Sequence, residues 1–237
     1  MEFRKNAVRP VQCFTEGWML IKDQYPLFLA FNALVLLIAG MIPFGIALGA
    51  AFCGIYLLLF QKMQGKPFEA GDMIKGFEFF LPGLVVTAFV VVPTLVLAVP
   101  MISAAVAVML ALVPDARGAI NETRVYGLLT TFAILSLIFA LIAGTLHAFV
   151  MFAYPLIVER KLSGWAAFKL SARAVLANGN GVIGIILIEF ALSLLGLLLF
   201  GVGIYLVLPL MFAAVAVAYK QVFPPSVQVS ESNTSSI

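Results

Sequence analysis

Glu189 is the one acid set deep in an apolar run, Val182-Ile183-Gly184-Ile185-Ile186-Leu187-Ile188-Glu189-Phe190. If that run crosses a bilayer, a charge at its centre is costly, about 2.5–3.5 kcal/mol on insertion scales for the comparable Asp. The carboxyl must then face the bundle interior, hold a proton or have a partner. Two roles meet that condition: a proton- or cation-binding group, and a hydrogen-bonded acid that fixes helix packing. His147, the only histidine, stands in a second apolar run, in Gly144-Thr145-Leu146-His147. Paired with Glu189 it would form a proton relay; unpaired it is a packing residue with one satisfied nitrogen. Asn32 is a third candidate polar group, and it suits an interhelical hydrogen bond equally well.

Other chemistry lacks its residues. One histidine cannot supply a His-Glu-x-x-His metal cluster, and no Asp falls within an apolar run to build an aspartyl dyad. Gly-x-Ser-x-Gly and the phosphate-binding glycine loop are absent, and Ser136 and Ser193 have no histidine at a fixed relation. The sequence therefore gives no catalytic residue, metal site or cofactor. Asn121-Glu122-Thr123 matches a glycosylation triplet, a weak signal at three residues. Cys13 and Cys53 provide no disulfide framework and read as unpaired small hydrophobes.

The elements that must carry these groups are membrane helices. Of 237 residues 63% are hydrophobic and 11% charged, against roughly half and a quarter in soluble domains. Apolar runs of about 20 residues match a hydrocarbon core roughly 30 Å thick. They do not alternate as barrel strands would, and helices satisfy their own backbone groups in lipid. The expected fold is an all-α membrane protein: one domain over 1–223 with six spans, at about 26–42, 45–61, 81–113, 127–157, 182–200 and 203–220. Residues 224–237, with Pro224-Pro225 and several Ser, read as a disordered cytoplasmic tail. Pro43-Phe44-Gly45 and Gly201-Val202-Gly203 form the tight joints of two hairpins. The third run is too long for one perpendicular crossing. Pro82, Pro93 and Pro100 allow a kinked, tilted helix, and the alternative is a crossing followed by a re-entrant piece near 101–113.

Charge sets the orientation. Six spans place twelve basic residues on one face: Arg4, Lys5, Arg9, Lys22, Lys62, Lys66, Lys75, Arg160, Lys161, Lys169, Arg173 and Lys220. Only Arg117 and Arg124 fall opposite. The positive-inside rule puts both termini in the cytoplasm. No compact apolar core with a cleavage site precedes Tyr25, so a removable signal peptide is not expected. The net charge of +3 is small and gives no reason to expect a nucleic-acid partner; the expected partner is the lipid bilayer.

Three cytoplasmic stretches have helical periodicity without the length to cross. Val11, Phe14, Trp18, Ile21 and Tyr25 share one face in 11–25. Ser163 is an N-cap for 163–177, where Trp165, Phe168, Ala172 and Val175 repeat the spacing, and a shorter piece from Asp72 presents Ile74, Phe77 and Leu81. Such helices lie in the interface, with Trp18 and Trp165 at headgroup depth and Lys22 and Lys169 in water, or pack against the ends of the bundle. They are also the surfaces through which a protein partner would dock. Gly17-Trp18 with Lys22 is echoed by Gly164-Trp165 with Lys169, each before a helical hairpin, the pattern of a weak internal duplication. Small residues also recur at four-residue spacing, Gly45, Gly49 and Cys53 in the second run and Ser103, Ala107 and Ala111 in the third.

Gly17-Trp18-Met19-Leu20-Ile21-Lys22, the hairpin from Pro43 to Gly49, Asp72-Met73-Ile74-Lys75-Gly76-Phe77, Tyr154-Pro155-Leu156-Ile157-Val158, Trp165 to Ser171, and Leu208-Pro209 to Tyr219 together resemble a broad, functionally uncharacterised family of bacterial polytopic integral membrane proteins. The resemblance spans roughly residues 12–223. It implies the six-span fold and the bacterial inner membrane, and brings no catalytic residues. The expected function is non-enzymatic, as an accessory or assembly component working through contacts. The alternative is a small-solute or proton transporter or channel using Glu189.

Overall fold

The structure is a computed structural model that describes residues 2–41, 45–67, 69–113, 121–198 and 201–224. The expected joint at Pro43-Phe44, the loop around Arg117 and the tail beyond Pro224 lie outside the described residues. Nine α-helices are described: α1 (Pro10–Ile21), α2 (Tyr25–Met41), α3 (Leu48–Met63), α4 (Phe80–Ala111), α5 (Glu122–Val150), α6 (Ala153–Arg160), α7 (Gly164–Ala177), α8 (Gly179–Leu198) and α9 (Val202–Val222). No strand occurs among the described residues. Four helical runs are long and apolar enough to cross a bilayer: Gly71–Ala111, Glu122–Arg160, Gly179–Leu198 and Val202–Val222. The helix Leu48–Met63 is apolar but shorter.

The centre of the fold is the second half of α9. Ala213 to Tyr219 are buried without interruption, so this stretch has neighbours on every side, among them α1, α2, α3 and α8. Alanine and valine make this crowding possible, because their small side chains let backbones approach closely. Gly17 of α1 crosses there: a Cβ on it would come within 2.9 Å of the Ala214 nitrogen. Gly49 of α3 and Gly83 of α4 likewise meet backbone to backbone. The start of α3 is thus level with Gly83 to Val91 of α4, a helix that continues to Ala111, about 30 Å further. Along that stretch Val92, Val96, Val99, Ile102, Val106 and Met109 are exposed, as lipid-facing residues are. The third run is one continuous helix containing Pro93 and Pro100, with no separate re-entrant piece.

The aromatic-spaced faces divide: Phe14, Ile21 and Val175 turn inward, whereas Val11, Trp18 and Trp165 stay exposed, as do Ile74, Phe77 and Leu81. In α1 the buried residues are Cys13, Phe14, Gly17 and Ile21, while Val11 and Trp18 are exposed. In α7 they are Gly164, Ala167, Ser171, Ala174 and Val175, and Trp165 is half exposed. The third stretch is a 3-10 helix, Ala70–Phe79, that buries Met73 and Gly76 against α3 and leaves Ile74, Phe77 and Leu81 outside. The glycines and alanines among these buried residues share one cause. Small residues allow close contact with the bundle, while large apolar ones lose nothing by facing lipid. Ser163 does cap α7, accepting from the Ala166 N–H at 3.4 Å. Cys13 and Cys53 are both free and buried.

Contacts at the ends of several helices are polar. The Lys62 ammonium bridges Asp23 and Gln24, each at 2.8 Å, and holds the Asp23 carboxyl below its ordinary pKa. Asn178, buried between α7 and α8, accepts from the Ala7 N–H at 2.7 Å and donates to the Arg4 carbonyl at 3.0 Å, tying down the N-terminal segment. Lys220 pairs with Glu159 and lies over the Phe60 ring.

The fourth run, expected unbroken over 127–157, divides at Met151-Phe152 into α5 and α6. Pro155 explains the position: its ring clashes with the carbonyl four residues back, that of Met151. The break frees backbone groups that lipid cannot satisfy, and Ser171 of α7 takes both sides of it. Its hydroxyl accepts from the Phe152 N–H at 3.1 Å and donates to the Phe149 carbonyl at 2.6 Å. Ser171→Ala leaves both without that partner and is expected to cost about 1–3 kcal/mol, read as a lower unfolding midpoint in mild detergent. An unchanged midpoint would mean the break does not need this hydroxyl.

Candidate functional site

Helices α3, α4, α5, α6, α8 and α9 enclose a cavity of about 250 Å³. Its polar groups are few and come from five different helices: Tyr56 on α3, Thr87 on α4, His147 on α5, Tyr154 on α6 and Glu189 on α8. Leu48, Val90, Val91, Leu208, Met211 and Val215 make much of the rest apolar. Phe52 and Phe212 complete an aromatic wall. Phe52 meets Tyr154 and Phe212 at 5.3 Å between ring centres, and Tyr56 meets Phe212 edge-on at 5.7 Å.

The structure brings Glu189 and His147 together. The imidazole Nε2 lies 3.6 Å from the Glu189 Oε2, an ion-pair distance just longer than a hydrogen bond. The two sit differently. Glu189 keeps 13% of its side-chain surface open, whereas His147 keeps 60% and forms the rim. That rim lies where α5 and α8 face each other with little direct packing. The histidine is thus the more exposed of the pair and the carboxylate the more enclosed. No hydrogen bond to the Glu189 carboxylate occurs among the described residues.

Asn32 does not join them. It is buried on α2, and its amide donates to the Phe28 carbonyl of its own helix at 2.8 Å, in place of the interhelical bond expected. The expected interfacial anchors Trp18, Lys22, Trp165 and Lys169 are all exposed at the bundle's edge. Trp18 packs on Tyr25, Trp165 stacks on Phe89 and Phe168, and the Lys169 ammonium lies 5.2 Å from the centre of the Trp165 ring.

Tyr56, Thr87 and Tyr154 are additions that sequence reasoning missed. Thr87 donates to the Gly83 carbonyl at 2.9 Å, which commits its only hydrogen, so the 3.1 Å contact with Tyr154 has the tyrosine as donor. A hydroxyl in an apolar run was the available signal, and it does not discriminate. Thr94, Ser103, Thr130, Thr131 and Thr145 give the same signal and bond only to their own helices.

Chemically, the site offers one carboxylate, one imidazole and a few hydroxyls against an apolar wall. It can hold a proton or a small polar or cationic group. No group of three or more His, Cys, Asp or Glu that could hold a metal is found among the described residues. No family model matches the chain, no curated protein matches it and no solved structure matches its fold. The Thr87–Tyr154 contact is expected to couple in a double-mutant cycle of Thr87→Val and Tyr154→Phe by about 0.5–1.5 kcal/mol. Additive effects on unfolding free energy would show that the two hydroxyls act independently.

Proposed function

We propose that this chain is a non-enzymatic polytopic protein of the bacterial inner membrane that binds a small solute or a proton at Glu189 and passes it across the bilayer. The supporting observation is Glu189 beside His147 in an open cavity. A carboxyl whose work is packing would be enclosed by donors, and this one has space in front of it. An accessory role through the amphipathic helices has less behind it, because α1 and α7 spend their close-packing faces inside the bundle. A protein partner would have only their exposed aromatic edges, which suit lipid headgroups as well.

The topology that accompanies this reading has six spans, α2, α3, α4, the α5–α6 pair, α8 and α9, with both termini cytoplasmic. Its support is the twelve-to-two division of basic residues. A duplicated unit and kinship with the bacterial family of similar layout belong to the same proposal. In both Gly-Trp helices the glycine is a point of closest approach, Gly17 to α9 and Gly164 to the Pro82 carbonyl of α4.

Function and topology are tested separately. Proteoliposomes carrying an internal pH dye and an imposed proton gradient should show a flux absent from empty vesicles, reduced at least tenfold by Glu189→Gln. Equal flux in the variant and the parent would remove Glu189 from the path. In intact cells a cysteine introduced near Arg117 should react with an impermeant reagent, whereas one near Lys66 should not; the reverse pattern would invert the topology.

A further inference from the structure

The charge and shape of the cavity point further, to the class of its ligand. We propose that it binds a compact organic cation with an apolar, ring-sized body, the charge held by Glu189 and the body by the aromatic wall. This rests on the reading of the cavity as a solute site.

Three observations converge on that class. Among the lining residues Glu189 is the only acid, and no Lys or Arg is present, so the only positive charge the lining itself can supply is a proton on His147. An anion would meet the carboxylate with no fixed cation to offset it. Second, Phe52, Tyr56, Tyr154 and Phe212 form a continuous group of rings. Ring faces attract cations, most effectively where water is scarce. Third, oxygen ligands are few: one carboxylate and the hydroxyls of Tyr56, Thr87 and Tyr154, two of which are engaged with each other. A hard inorganic cation such as Ca²⁺ takes six to eight oxygens, whereas an alkylated ammonium needs charge and apolar contact only. His147, more exposed than Glu189, stands at the edge of the site beside the carboxylate.

The test uses the full chain in nanodiscs of zwitterionic lipid, with phenyltrimethylammonium as the probe and benzenesulfonate as an anion of similar size. Saturation-transfer NMR of each probe is read against empty nanodiscs. The expected result is saturable binding of the ammonium, none of the sulfonate, and at least a tenfold weaker affinity for the ammonium in Glu189→Gln. Phe212→Leu, which keeps the carboxylate and removes a ring, should weaken it several-fold and serves if Glu189→Gln does not fold. Sulfonate binding as tight as the ammonium's, or ammonium binding indifferent to both substitutions, overturns the cation assignment and leaves a solute site of another class. No saturable binding of either probe also overturns it. Proton flux that depends on Glu189 would then still uphold the transport reading.

Discussion

Close approach of helix backbones at residues without bulk is the constraint on which this structure depends. Lipid offers helices little hydrophobic reason to associate, so packing contacts must do it. Here they cluster where one glycine or alanine meets another. Gly17 lies on Ala213-Ala214, Gly49 on Gly83, Gly76 on Gly54, and Gly196 on Gly203 at the tip of the last hairpin. Each contact brings two backbones to a distance that a Cβ would prevent. The amphipathic helices are arranged by the same rule, which is why their tryptophans face outward.

This constraint also explains what the sequence could and could not convey. Apolar length marked the helices well: α2, α4, α8 and α9 begin within a few residues of the expected spans. Periodicity identified α1 and α7 as amphipathic without saying which of the spaced residues turn inward: Phe14, Ile21 and Val175 do, and Trp18 and Trp165 do not. Hydrophobic spacing reports where apolar side chains gather, and in a membrane that direction is as often toward lipid as toward the core. The break at Met151-Phe152 had a local signal in Pro155, yet its remedy, Ser171, comes from another helix and depends on tertiary placement.

The site was legible in its two ionisable members and obscure in its remainder. Glu189 and His147 stood out because each is costly or rare in an apolar run, and folding places them 3.6 Å apart. Asn32 was equally conspicuous but bonds to its own helix. The hydroxyls and rings around the cavity carry no such mark, because threonine, tyrosine and phenylalanine are ordinary in membrane helices. Their convergence follows from the helix break, after which α6 carries Tyr154 toward Thr87.

A segment enclosed on all sides has no neutral position. At Ala213, Ala214, Ala216 and Ala218, which have no exposed surface, an enlarging replacement meets packed neighbours. The outer stretches of α4 and α5, by contrast, can exchange valine, isoleucine and leucine with little consequence. The exposed stretches of α4 and α5 therefore tolerate replacements that the buried alanines of α9 do not. In this segment of α9 the smallest side chains leave the least room for change.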